Sequence, residues 1–97
     1  MPVPIRMPAV GDGMQEGTVV AWPVAPGARV EKGAVVVVIE VDKSEVEVES
    51  PASGVFRHAY AHAGDTIPCG ALLAVLTTSA DEPFDPVAYE IDDTTGF

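Results

Sequence analysis

Val37-Val38-Ile39-Glu40-Val41-Asp42-Lys43-Ser44-Glu45-Val46-Glu47-Val48-Glu49 sits near the middle of the chain and reads as a β-hairpin. From Ile39 to Val41 and from Glu45 to Glu49, apolar and polar residues alternate, the period of a half-buried strand. With Asp42 and Lys43 as the central turn residues, Val41 pairs with Ser44, Glu40 with Glu45 and Ile39 with Val46. Inward residues then meet inward ones. A slip of one residue would set Glu against Ile throughout, so the pattern fixes the register. Lys43 is expected at the apex, in water.

The turn itself goes against local preference. Two-residue hairpins favour Asn-Gly or other Gly-rich pairs with positive φ, and Asp-Lys suits a type I turn better. Glu40 opposite Glu45 is mildly unfavourable. Stability is given up to set an acidic collar (Glu40, Asp42, Glu45, Glu47) around one lysine, and departures of this kind are where function is expected. The chain has only two lysines, Lys32 and Lys43. Most surface lysines only keep a turn soluble, and Lys32 is read that way.

On either side of the hairpin the sequence repeats. Gly17, Gly27 and Gly33 recur as Gly54, Gly64 and Gly70, each 37 residues later. Val30 aligns with Ile67, Ala34 with Ala71, and Lys32 with Cys69. Glycines in register imply the same turns built twice. Each copy reads as strand, turn, short strand, turn, strand. Neither can bury its apolar face alone, so the two copies are expected to pack face to face. The predicted fold is all-β, a flattened barrel or sandwich of two four-stranded sheets related by an approximate two-fold axis, with Lys43 at a hairpin tip. Hardly any helix is expected, because no useful stretch has 3.6-residue periodicity.

Composition agrees with one folded domain: 97 residues, 47% hydrophobic and 21% charged, with nine Gly and nine Pro. The domain is assigned to residues 1–79. Residues 80–97 hold six acids, no basic residue, and Pro83 and Pro86, and are read as an acidic linker or untethered tail in preference to a segment that docks on a partner or folds back on the domain. A net charge of −10 argues against nucleic acid or an anionic membrane as partner, since phosphate contacts need Lys and Arg. Apolar runs such as Val35–Ile39 are too short to span a bilayer, and residues 1–6 do not resemble a signal peptide. A single cysteine, Cys69, fits a reducing cytoplasm. His58, His62 and Cys69 are too scattered for a metal site and are read as surface histidines and a small buried thiol. Trp22 and Phe56 are read as core or rim aromatics. No nucleophile elbow, phosphate loop or triad is present.

The segment Glu40-Val-Asp-Lys43-Ser-Glu-Val-Glu-Val-Glu-Ser-Pro51-Ala-Ser-Gly54 resembles the attachment segment of lipoyl domains from 2-oxo acid dehydrogenase complexes. Pro8-Ala-Val-Gly11-Asp12-Gly13-Met14-Gln-Glu16-Gly17-Thr-Val-Val-Ala-Trp22 resembles the opening of the acyltransferase subunits of that family, with Asp12 where Glu is usual. The likeness spans about residues 3–79.

The resemblance implies a carrier, with no catalysis of its own. Lipoate in amide linkage to Lys43, loaded by a lipoate ligase or lipoyl transferase, would be a swinging arm within the barrel-sandwich fold. It would visit a thiamine-dependent 2-oxo acid decarboxylase, an acyltransferase core and dihydrolipoamide dehydrogenase. Asp42, Ser44, Glu40 and Glu45 would flank the attachment point. The resemblance also implies that the loop bearing Gly11, Asp12, Gly13, Met14 and Glu16 lies near the hairpin and helps the decarboxylase recognise its carrier. A biotinyl carrier of a biotin-dependent carboxylase shares the fold, but its lysine is flanked by Met where Asp42 and Ser44 stand here. The glycine-cleavage carrier is larger and lacks the Gly-Asp-Gly opening. An unmodified interaction module gives no reason for Asp-Lys at the tip.

Overall fold

A computed structural model describes residues 1–11 and 13–95, the last two by their backbone alone. Its strands follow the Gly and Pro punctuation of the sequence: β1 (Val3–Arg6), β2 (Glu16–Ala21), β3 (Arg29–Val30), β4 (Val35–Val41), β5 (Ser44–Glu49), β6 (Gly54–Ala59), β7 (Thr66–Pro68) and β8 (Leu72–Thr77). They form two antiparallel four-stranded sheets, ordered β1-β8-β6-β3 and β5-β4-β2-β7. The all-β sandwich expected from the sequence is present.

The halves are more entangled than a face-to-face stack of two copies. Each sheet takes two strands from β1–β4 and two from β5–β8, and the turns of one copy clasp the strands of the other. Gly27 N donates to Phe56 O at 2.7 Å, and its counterpart Gly64 N donates to Val19 O at 2.8 Å. Phe56 N in turn donates to Ala28 O, and Val19 N to Asp65 O, both at 2.9 Å. Gly27 and Gly64 have φ of 94° and 97°, a left-handed conformation that an L side chain disfavours. Gly54 serves a different purpose. A Cβ there would run into the backbone carbonyl of Thr77 on the neighbouring strand.

Between the sheets lies one apolar core. It holds Ile5, Met7, Val19, Val30, Val36, Val37, Ile39, Phe56, Leu73 and Leu76, all nearly sealed from solvent. Trp22 stands at its margin, edge-on to Phe56 with ring centroids 5.6 Å apart, and its Nε1 donates to Ala61 O at 3.0 Å. By the usual area relation, burying a side chain of this kind contributes roughly 1.5–3 kcal/mol.

The C-terminal segment differs from the linker or free tail expected from its composition. Pro86–Thr95 forms a helix, α1, and the chain leading to it folds back on the first sheet. Asp85 caps the helix, its Oδ1 accepting from Val87 N at 3.0 Å and Ala88 N at 3.2 Å, with Pro86 in the first helical position where its missing N–H costs nothing. Three side chains of the barrel hold the segment. The Tyr60 hydroxyl donates to Pro86 O at 2.7 Å. Arg57 donates to Glu82 O at 2.7 Å and lies over the Phe84 ring, 5.6 Å from its centroid. Arg6 pairs with Asp93. At the other end of the chain, the Met1 ammonium pairs with Glu82 at 3.1 Å.

The refolded segment explains an oddity of β8. Ala74 and Leu76 point into the core, so Val75 and Thr77 point away from it, yet these are also buried. The segment after Thr77 returns over that outer face. Helix propensity is weak in Pro86–Thr95, and the contacts that hold the helix are tertiary. No helix among the described residues is long and apolar enough to cross a membrane.

Candidate functional site

The hairpin has the register its alternation dictates. Val41 pairs with Ser44, Glu40 with Glu45 and Ile39 with Val46. Ile39 is buried, Val41, Val46 and Val48 are half-buried, and Glu40, Glu45, Glu47 and Glu49 are exposed. A register shift between Val35 and Val37 ends the regular pairing at the far end, where Val36 and Val37 both enter the core.

Asp42 and Lys43 occupy the turn with φ of 56° and 68°. That corrects the expected type I turn: both central residues are left-handed, as in type I′. The physical reason is strand twist. Type I′ matches the right-handed twist of the flanking strands, whereas type I would splay them. The tertiary demand overrides local preference, at roughly 1–2 kcal/mol for a left-handed L-residue, less for Asp, whose short polar side chain tolerates the region. No glycine relieves it. The lysine therefore stands exposed at the apex, flanked by exposed Asp42 and Ser44.

Beside the hairpin runs the loop from Val10 to Glu16. It and the hairpin form the two walls of an open cleft, with Gly13, Met14 and Glu16 on one side and Val41, Asp42 and Val46 on the other. Met14 N donates to Gly11 O at 3.2 Å, and Gly13 turns with a φ of 73°. Asp12 lies outside the described residues. Four of the five loop residues named from the sequence are thus placed, and all four line the cleft.

Sequence reasoning missed what anchors the loop. Cys69 N donates to Gln15 O at 2.9 Å, and its thiol lies 3.6 Å from the carbonyls of Pro8 and Met14. The half-buried thiol thus ties the loop to the turn after β7. The available signal was its alignment with solvent-facing Lys32: a small soft residue replaces a cation where the second copy meets the loop. The histidines do other work. His58 stacks edge-on against Tyr60, centroids 4.6 Å apart, and His62 lies 3.7 Å from Asp65. Among the described residues no group of three His, Cys, Asp or Glu could hold a metal.

Comparison with known proteins places this geometry in context. The family model described as biotin-requiring enzyme, for biotin/lipoyl domains, matches residues 3–76. The dihydrolipoyllysine-residue acetyltransferase component of the acetoin cleaving system of Cupriavidus necator is 41% identical over 91 residues, covering 94% of this chain and 23% of that protein. The dihydrolipoyllysine-residue succinyltransferase component of the 2-oxoglutarate dehydrogenase complex of Bacillus subtilis is 31% identical over 86 residues, covering 89% of this chain and 21% of that protein. The chain thus spans about a fifth of the length of these curated relatives. Among solved structures, the lipoyl domain of the Azotobacter vinelandii 2-oxoglutarate dehydrogenase complex superposes with a TM-score of 0.66 at 35% identity, covering 80% of this chain and 99% of that one. With the fold, the repeat and the matched segment in agreement, the chain belongs to the biotin/lipoyl attachment family, and within it is a lipoyl domain, a carrier module.

Proposed function

We propose that Lys43 is the lipoyl attachment residue, and that residues 1–79 form a carrier domain serving a 2-oxo acid dehydrogenase-type complex. The observation that carries this reading is the placement of one exposed lysine at a strained type I′ apex, between Asp42 and Ser44. A rigid apex presents the amine to a ligase without ordering cost at the moment of reaction. Once the amide has formed, the tether raises the arm's local concentration at each partner site. The partners are a lipoate ligase or lipoyl transferase, a thiamine-dependent 2-oxo acid decarboxylase, an acyltransferase core and dihydrolipoamide dehydrogenase. Gly11, Asp12, Gly13, Met14 and Glu16 form the surface by which the decarboxylase selects its carrier, since that loop flanks the hairpin. A cytoplasmic location suits a dithiol carrier with one free cysteine.

The test is loading. Incubation with lipoate ligase, ATP and lipoate should add one lipoyl group, mapped by mass spectrometry to Lys43, and the Lys43→Arg variant should take none. Biotin in place of lipoate on Lys43, or a protein isolated without any adduct that no ligase can load, would overturn the assignment.

A further inference from the structure

We propose that the cleft between the Val10–Glu16 loop and the Lys43 hairpin is a resting site for the domain's own dithiolane ring, in its oxidised, neutral form. The inference rests on lipoylation of Lys43 and adds a second, non-covalent site for the same group.

Geometry comes first. The open cleft has a volume of about 490 Å³, inside the roughly 300–1,000 Å³ typical of small-molecule sites. Asp42 and Ser44, the chain neighbours of Lys43, stand in its wall. The arm is therefore rooted at the rim, and a lysine chain extended by a pentanoyl chain is long enough to fold back over it.

Chemistry selects the occupant. Met14, Val41 and Val46 pack against the core with one side and remain partly open on the other. Val10, 49% exposed, extends the apolar surface outward. A polarisable thioether beside branched aliphatics suits a ring of carbon and sulfur. Among the described residues of the lining, the charged groups are Glu16 and Asp42, with no lysine or arginine. Such a rim repels carboxylates, phosphates and thiolates. Free lipoate and the phosphates of coenzyme A are disfavoured, whereas amide-linked lipoate carries no charge.

The tether makes a weak site sufficient. A short flexible link gives an effective concentration in the millimolar range, so millimolar affinity already shelters the ring for half the time. An affinity of that order also lets the arm leave promptly for a partner. Because the compact disulfide ring loses less freedom on resting than the longer, flexible opened dithiol, the ring is the favoured occupant, and resting and reduction are thermodynamically linked.

The experiment uses the full chain with 13C-labelled Met and Val methyl groups, prepared unmodified, lipoylated and octanoylated. Lipoylation should shift the methyl resonances of Met14, Val41 and Val46. Octanoylation, which supplies the tether without the ring, should shift them less, and reduction with a phosphine should reverse the change. That reduction should run roughly two- to tenfold slower than reduction of free lipoamide, and Met14→Ser should remove the difference. Unmoved methyls in the lipoylated protein, or a reduction rate equal to that of lipoamide, overturn the proposal. Should the ligase fail to load Lys43, the carrier reading falls. Millimolar lipoamide titrated into the unmodified chain then decides the cleft separately: shifts at the same three residues support it, and silence there removes it.

Discussion

The guanidinium of Arg6 holds the carboxylate of Asp93, one nitrogen to each oxygen, across 87 positions of the chain. The first strand and the terminal helix are thereby joined by a bidentate pair, the strongest geometry such ions adopt. Arg6 is 38% exposed and Asp93 17%, so solvent screens the pair and it contributes about 0–1 kcal/mol. We expect Asp93→Asn to fray α1 while leaving the barrel folded, seen as faster amide exchange in residues 89–93 and unchanged exchange in β8. The Arg6 hydrogen bond holds the Asp93 carboxyl below its usual range. A depressed folded pKa means the contribution is present above the ordinary carboxylate pKa, about 3.9, and fades as pH falls through the folded value. α1 should therefore loosen in acid in the native protein, and the Asn variant should show no such step.

Tyr60 gives the alkaline counterpart. Burial beneath the refolded segment, reinforced by Glu90 and neighbouring charges, pushes its phenol up to about 12. A raised folded pKa leaves the stabilisation intact below the ordinary value, about 10, and removes it as pH climbs toward 12. Ultraviolet titration should find Tyr60 ionising late, and burial raises Tyr89 above its ordinary value as well, so Tyr60→Phe identifies which step belongs to Tyr60. Truncation after residue 79 should return Tyr60 to the ordinary range. Tyr60→Phe, which loses the bond to Pro86 O, should cost about 1 kcal/mol in denaturant unfolding.

Gly54→Ala should be among the most damaging single-methyl additions available to this chain. The new Cβ meets the Thr77 carbonyl, a backbone atom on the paired strand that cannot swing aside. Overpacking of this sort costs about 1–3 kcal/mol, and the midpoint of urea unfolding should fall accordingly. Gly27→Ala has open space around it but a φ of 94°, so its penalty comes from backbone strain with no clash.

The apex should behave in the opposite sense. Replacing Lys43 with Gly relieves a left-handed lysine at φ 68° and is expected to raise stability by about 1 kcal/mol, while abolishing loading by the ligase. Calorimetry on Lys43→Gly and Asp42→Gly measures the strain held at the tip. A loss of stability in both would show that the turn is unstrained.

Much of this architecture could be read from the residues, and what could not has identifiable causes. The hairpin register was legible because a one-residue slip would bury glutamates. The turns were legible because glycines recur at a fixed interval, and Gly27 and Gly64 adopt nearly the same φ. The type of the apical turn was not, since strand twist imposed left-handed geometry on residues with no preference for it. The interleaving of the halves was hidden because nothing local tells which sheet a strand joins. The terminal helix depends on Arg6, Arg57 and Tyr60, distant partners that no window of sequence contains. The placement of Asp42 and Lys43 at the apex was legible from spacing. The Cys69 anchor, and Val41 and Val46 as a cleft wall, required the third dimension.

The position of β5 has a further consequence. It lies at the margin of its sheet, with β4 as its one neighbour among the described strands, and a marginal strand presents a row of amides and carbonyls that another strand can pair with. Crowded copies of such a margin could polymerise edge to edge. Glu45, Glu47 and Glu49 line that strand, all exposed, and like charge against like makes a second copy an unwelcome neighbour. The same acids that surround the hairpin would thus keep carriers from sticking to each other when many are gathered in one place.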